Sequence, residues 1–219
     1  MSQRSALLEV RRLQGREFPP DNVNFNGRDY GLAQIYNDAG IALEVTKNQN
    51  DIPDLKGPNS SYSQAELHSL LTQFRIPPDL GEKMFAWLVV VTNYSEQEGI
   101  LGIMFEPLDR KGTAVFQGHN LIRTDPRAFL RTSVHELGHQ FNLHHEDGTT
   151  YEENGVTKYT IMNQTALIQP WPDAIGFKFG EHESTHLSSH PDVDVRPGGA
   201  AFYHCNEEHS TWHDGITST

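Results

Sequence analysis

The stretch FAWLVVVTNY, residues 85–94, restricts the fold more than any other. Its apolar run is continuous from Phe85 to Val91 and offers no polar face to water, so it reads as a buried central strand. Shorter segments supply neighbours: ALLEVRRL (6–13), IALEV (41–45), ILGIMFE (100–106) and GTAVFQ (112–117) all read as strands. DYGLAQIYNDAG (29–40) reads as a helix ending at Gly40. SQAELHSLLTQF (63–74) reads as a second helix, with Ser63 and Glu66 forming a capping box ahead of an apolar stripe. A long helix starts near Pro126, with Thr124 or Asp125 as its cap and proline in the first turn. Beyond Gly148 regular structure thins to one short helical stretch near 181–190. The expected class is α+β: a twisted mixed sheet with helices, then a smaller irregular C-terminal part.

At 219 residues the chain suits one domain, or two small lobes around a cleft. A net charge of -12 excludes a nucleic-acid backbone as partner, because nothing offsets the repulsion. No segment approaches the roughly 20 apolar residues that span a bilayer, and the N-terminal MSQRSALLEV lacks the apolar core of a signal peptide. The single cysteine, Cys205, rules out an internal disulfide framework. A cytoplasmic protein, or the trimmed form of an exported one, is the expectation.

Chemistry concentrates in SVHELGHQFNLHHEDG, residues 133–148. On a helix His135 and His139 lie about 40° apart, one turn above the other, so both imidazoles reach one ion. Leu130, Val134, Leu137 and Phe141 fall roughly opposite, as an anchoring stripe. Two histidines leave zinc under-coordinated, since a catalytic site takes three protein ligands and keeps one position open. Asn142 offers the next clue: asparagine follows glycine as the residue that ends a helix in the left-handed conformation. Such a stop swings the following chain beneath the ion, where the next candidates are His144 and His145.

HELGHQFNLHH resembles the signature of the metzincin clan of zinc metallopeptidases, H-E-x-x-H-x-x-G/N-x-x-H/D, across all eleven positions. The resemblance implies one catalytic zinc held by His135, His139 and His145, the last selected over His144 by register. It implies a Met-turn at Met162, in YTIMNQ, as an apolar floor beneath the metal. Some metzincins carry a metal-binding tyrosine two residues after that methionine; Gln164 stands there, so none is expected. The fold implied is a metzincin-like single catalytic domain, with an N-terminal subdomain about 1–142 and a C-terminal one about 143–219. It also implies that Gly102, Ile103 and Met104 form an exposed edge that pairs with substrate backbone. Glu136 is then the general base for hydrolysis of internal peptide bonds by a zinc-activated water. Leu167, Ile168 and Trp171, in the segment after Met162, suggest an apolar pocket beyond the scissile bond. A monomer acting on peptide or protein substrates is expected, and the clan's habits favour export.

Other readings stand beside this one. A second H-E-x-x-H, His182 to His186, is followed by Glu207, and with His190 it forms a candidate second metal site. Leu187 is the one apolar residue between Glu181 and His190, so that helix lacks an anchoring stripe and reads as a terminal structural helix. Asp192 and Asp194 suit calcium, although two acids in a loop are ordinarily just solvated. Cys205 reads as a quiet residue, with latency through a thiolate as its alternative. The competing functions are a zinc-stabilised binding module without catalysis and a zinc hydrolase acting on a non-peptide amide.

Overall fold

In the computed structural model, residues 3–106 and 108–202 are described. The chain runs β1 (Arg4–Arg12), β2 (Asn22–Phe25), β3 (Arg28–Gly31), α1 (Leu32–Asp38), β4 (Ile41–Lys47), β5 (Ser61–Tyr62), α2 (Gln64–Phe74) and β6 (Met84–Val91). It continues through β7 (Asn93–Tyr94), β8 (Gly102–Met104), β9 (Thr113–Phe116), α3 (Asn120–Thr124) and α4 (Pro126–Gln140). The hairpin β10 (Thr150–Glu153) and β11 (Val156–Tyr159) follows, then α5 (Glu181–Ser189) and α6 (Asp192–Val195).

The main sheet has the order β4-β1-β6-β9-β8. All its pairings are parallel except the last, in which Gly102, Ile103 and Met104 run antiparallel to Val115, Ala114 and Thr113. The protein is thus α+β with a mixed sheet. Strand β6 is buried at every position, and the reason is two-sided packing. Met84, Ala86, Leu88 and Val90 join the core that includes α1 and α4, while Phe85, Trp87, Val89 and Val91 join the core beneath α2. A strand covered on both faces needs the continuous apolar run that its sequence carries.

Several expectations shift. Asp29, Tyr30 and Gly31 belong to β3, and α1 begins only at Leu32. The cause is the β2–β3 hairpin, whose Asn26 and Gly27 both have positive φ, as a tight turn of primed type demands. A second hairpin, β10–β11, turns at Asn154 and Gly155 in the same manner, in a region expected to be irregular. Helix α2 carries the capping box of Ser63 and Glu66, and Asp125 caps α4. Asp192 and Asp194 lie in α6 rather than a loop. Among the described residues no helix is long and apolar enough to cross a membrane.

Candidate metal centre

Helix α4 starts where the Asp125 carboxylate accepts the Arg127 N–H at 2.9 Å, with Pro126 in the first turn, where no N–H partner is needed. From Ala128 onward it is buried, with Leu130, Val134, Leu137 and Phe141 at 0% exposure. Its histidine face is buried too, unlike the half-exposed helix its amphipathic pattern suggests. The far end is pinned by Gln140, whose amide accepts the Trp87 N–H and donates to Trp87 O and Thr113 Oγ1. Tyr36 Oη donates to the Val134 carbonyl at 2.8 Å, locking α1 to the same helix.

The helix stops through Asn142, whose φ is 67°. Leu143 N–H donates back to Gly138 O and Asn142 N–H to His139 O, both at 3.0 Å. This pair of bonds is the Schellman arrangement, with asparagine in the left-handed position. The reversal carries His145 under the helix.

His135, His139 and His145 are the one group of three metal-ligating side chains found among the described residues, with ligand atoms within 4.8 Å of one another. His135 Nε2 lies 3.2 Å from the Nε2 atoms of both His139 and His145. His135 Nδ1–H donates to Ile161 O at 2.8 Å, and His139 Nδ1–H donates to Leu143 O at 2.7 Å. Those bonds place each ring's proton on Nδ1, so the two Nε2 atoms face each other as bare lone pairs. Two lone pairs at that separation repel unless a cation lies between them. Zinc fits: tetrahedral Zn–N bonds of about 2.0–2.1 Å set ligand nitrogens roughly 3.3 Å apart. Burial, and then the neighbouring histidines, holds His135 well below the usual imidazole pKa. Burial lowers His139 to about 3 and His145 in the same direction. All three rings are therefore neutral at neutral pH, the form that ligates metal.

Beneath the helix lies Met162, fully buried. Its Sδ would stand 2.6 Å from a Cβ at Gly138, so glycine at that helix position is what lets the methionine approach. Arg131, at 0% exposure, fixes the methionine's segment. Its Nη2 donates to the carbonyls of Thr160, Ile161 and Asn163 at 2.9–3.0 Å, and its Nη1 to Thr165 Oγ1. Asn163 Nδ2 donates to Thr149 O, and the Thr160 N–H donates to the same carbonyl at 3.1 Å, closing the neck of the β10–β11 hairpin. Gln164 is turned away, its Nε2 on Asp147 Oδ2 at 2.6 Å.

Glu136 stands against the sheet edge. A Cβ at Gly102 would meet Glu136 Cγ at 2.5 Å and Oε1 at 2.8 Å. The first residue of β8 thus touches the glutamate, and Gly102, Ile103 and Met104 are each partly accessible along that edge. Burial pushes the Glu136 carboxyl up to about 8. In the segment after Met162, Ile168 is buried, Trp171 is half-buried and Leu167 is 49% exposed.

His144 lies outside the triad, stacked on Phe202 with ring centroids 4.5 Å apart, while Phe202 meets His139 edge-on at 5.6 Å. His182, His186 and His190 do not gather as ligands. His182 pairs with Glu146 at 3.3 Å, His186 Nε2 donates to Phe141 O at 3.0 Å, and the His186 and His190 rings lie tilted with centroids 4.5 Å apart. Asp192 pairs with Arg196 at 2.7 Å rather than with other acids. Cys205 and Glu207 fall outside the described residues. Sequence reasoning missed Arg131 and Arg110, whose guanidinium donates to Gln140 O, Arg196 O and Ala200 O at 2.7–2.9 Å. Arg131 sits one turn before His135 on the same helix face, and that i, i+4 relation was its available signal. No family model matches this chain, and no curated protein proved similar to it.

Proposed function

We propose that the chain is a zinc-dependent endopeptidase of metzincin type. One observation carries the reading: two imidazoles, each fixed by a backbone carbonyl as the Nδ1–H tautomer, turn bare nitrogens toward each other beside a third histidine. His135, His139 and His145 would hold the metal. Zinc supplies Lewis-acid polarisation of a carbonyl and acidification of water at that point. The remaining chemistry falls to the protein. Glu136 takes the proton of the attacking water and passes it to the departing amine nitrogen. The outer edge of β8, antiparallel to its one sheet neighbour, offers unpaired backbone groups to an extended peptide. The antiparallel edge beside α4 and the buried methionine under Gly138 support the metzincin-like fold.

The test is cleavage of a casein or quenched-peptide substrate with and without chelator, alongside metal analysis. Cleavage that disappears with chelator and returns with zinc is the expected outcome. Glu136→Gln should keep zinc near one per chain while losing about 10²–10⁴-fold in kcat, the usual contribution of a general base. A chain that binds zinc without cleaving would be a binding module. One that cleaves only non-peptide amides would share the chemistry but not the substrate.

A further inference from the structure

Resting on that reading, we propose that a hollow at the start of the edge strand takes a basic side chain of the peptide substrate. The hollow has a volume of about 370 Å³, and its lining includes Tyr94, Glu98, Gly99, Ile100, Phe116 and His119. Gly99 and Ile100 lie two to three residues before Gly102, which touches Glu136. Gly99 stands in a turn with φ 79° and Ile100 follows it, so the hollow opens just before the edge strand begins. A peptide added antiparallel to β8, the commoner pairing, runs from Gly102 toward Ile100 in its own N-to-C direction. The residues presented to the hollow are then the second and third after the cleaved bond.

The lining selects by charge and shape. Tyr94 and Phe116 stack with ring centroids 5.4 Å apart, and the Tyr94 hydroxyl donates to Glu96 Oε2 at 3.0 Å, so the aromatic wall is held in place. Glu98 is exposed at the rim and has no hydrogen-bond or ion-pair partner among the described residues. No lysine or arginine lines the hollow. His119 adds no positive charge at neutral pH: its Nδ1 accepts the Leu121 N–H at 3.2 Å, and burial lowers its pKa. A guanidinium or ammonium whose stem packs against the partly accessible Tyr94, with Phe116 buried behind it, would end at an unopposed carboxylate on Glu98. The chain's net charge of -12 adds a general attraction in the same direction.

The experiment uses the zinc-loaded full chain and a peptide whose cleavage site has been fixed by mass spectrometry. Arginine, alanine or glutamate is placed in turn at the second and third residues after the cleaved bond. Arginine at one of the two positions should raise kcat/KM about fivefold over alanine, the effect of one exposed ion pair. Glu98→Gln should remove the preference, and Glu98→Arg should turn it toward glutamate. Equal rates with the three peptides, or an arginine preference that survives both substitutions, would overturn the inference. Failure to cleave any peptide would instead refute the proposed activity. The hollow is then read by fluorescence anisotropy, titrating the same peptides into wild type and Glu98→Gln. Arginine-peptide binding weakened by Glu98→Gln would sustain it; equal or unmeasurable binding would overturn it.

Discussion

Glycine at position 102 sets where Glu136 can stand. A methyl group there would overlap Glu136 Cγ at 2.5 Å and press on the Ala114 carbonyl at 2.9 Å. Gly102→Ala must therefore move the glutamate, the edge strand, or both. A displacement of that size costs roughly 10²-fold in rate when it misplaces a reacting group. The three atoms nearest that methyl group belong to Glu136 and Ala114, and none to the histidine triad. The expected phenotype is kcat down about 10²-fold with zinc content unchanged, read by steady-state kinetics and metal analysis together. The tandem histidines separate in a similar way. His145→Ala removes a member of the triad and should strip most of the zinc, whereas His144→Ala removes a ring stacked on Phe202 and should leave about one zinc per chain. The opposite pattern would mean that the helix ends in another register. At this scale the sequence was most legible. Helical spacing and a left-handed stop are short-range geometry, so His135, His139 and the role of Asn142 follow from local rules alone. Arg131 was less legible: its spacing from His135 puts it on the ligand face, but the acceptors it holds lie 29 to 34 positions onward, beyond the reach of any local rule.

Helix α4 and its stop act as one element. Asn142 holds positive φ while its N–H and that of Leu143 close the last turn. Glycine adopts that conformation without a side-chain clash, so Asn142→Gly should fold and bind zinc as wild type does. A β-branched residue does not, and Asn142→Val should lose about 1–2 kcal/mol in urea unfolding. Because the same turn aims His145, zinc affinity should fall alongside stability. A variant that loses stability but keeps its zinc affinity would show that His145 is positioned from the hairpin side instead. Legibility at this scale was uneven. The two-faced burial of β6 was written in its unbroken apolar run, yet both Asn-Gly hairpins went unread. For β3 the expected helix was begun too early: Leu32, Ile35 and Tyr36 fall on one buried helix face, whereas Tyr30 would point to the opposite side and is buried from a strand instead. In β10 exposure alternates between full and partial, and in β11 two exposed residues precede Lys158, the one buried residue of the hairpin strands, so no hydrophobic period marks them.

The molecule as a whole is buttressed by α5, which buries two ionisable groups with opposite consequences. Burial lowers His186 from 6.5 to about 3. The unfolded chain therefore takes up a proton in that range that the folded chain refuses, and stability falls as pH drops below 6.5. Burial raises Glu183 well above its ordinary 4.5, reinforced by the Glu146 carboxylate. Here the folded chain keeps a proton that the unfolded chain releases, so stability falls as pH rises above 4.5. These two contributions oppose each other between pH 4.5 and 6.5; in the chelated protein the buried triad histidines steepen the acid limb and Glu136 the alkaline one. His186→Gln keeps a donor for Phe141 O and should flatten the acid limb. Glu183→Gln keeps an acceptor for the Gly180 N–H and should flatten the alkaline one. Urea midpoints across that range check both, and unchanged slopes would remove these groups from the account. Sequence reading took this stretch as a terminal structural helix without an anchoring stripe, and its buried ionisable groups stayed hidden because its burial depends on surfaces that distant segments contribute.

The bond from Thr160 to Thr149 has a meaning for searches among other chains. It joins the two stems of the β10–β11 hairpin at their base, immediately before Met162. Everything above that base is an excursion that leaves and returns at one point. Lengthening such an excursion costs little, since closure entropy grows only with the logarithm of length. The separation of His145 from Met162 along the chain is then an accident of how tall the hairpin happens to be. A template that matches where the stems meet would find relatives of this centre that a template counting residues would pass over.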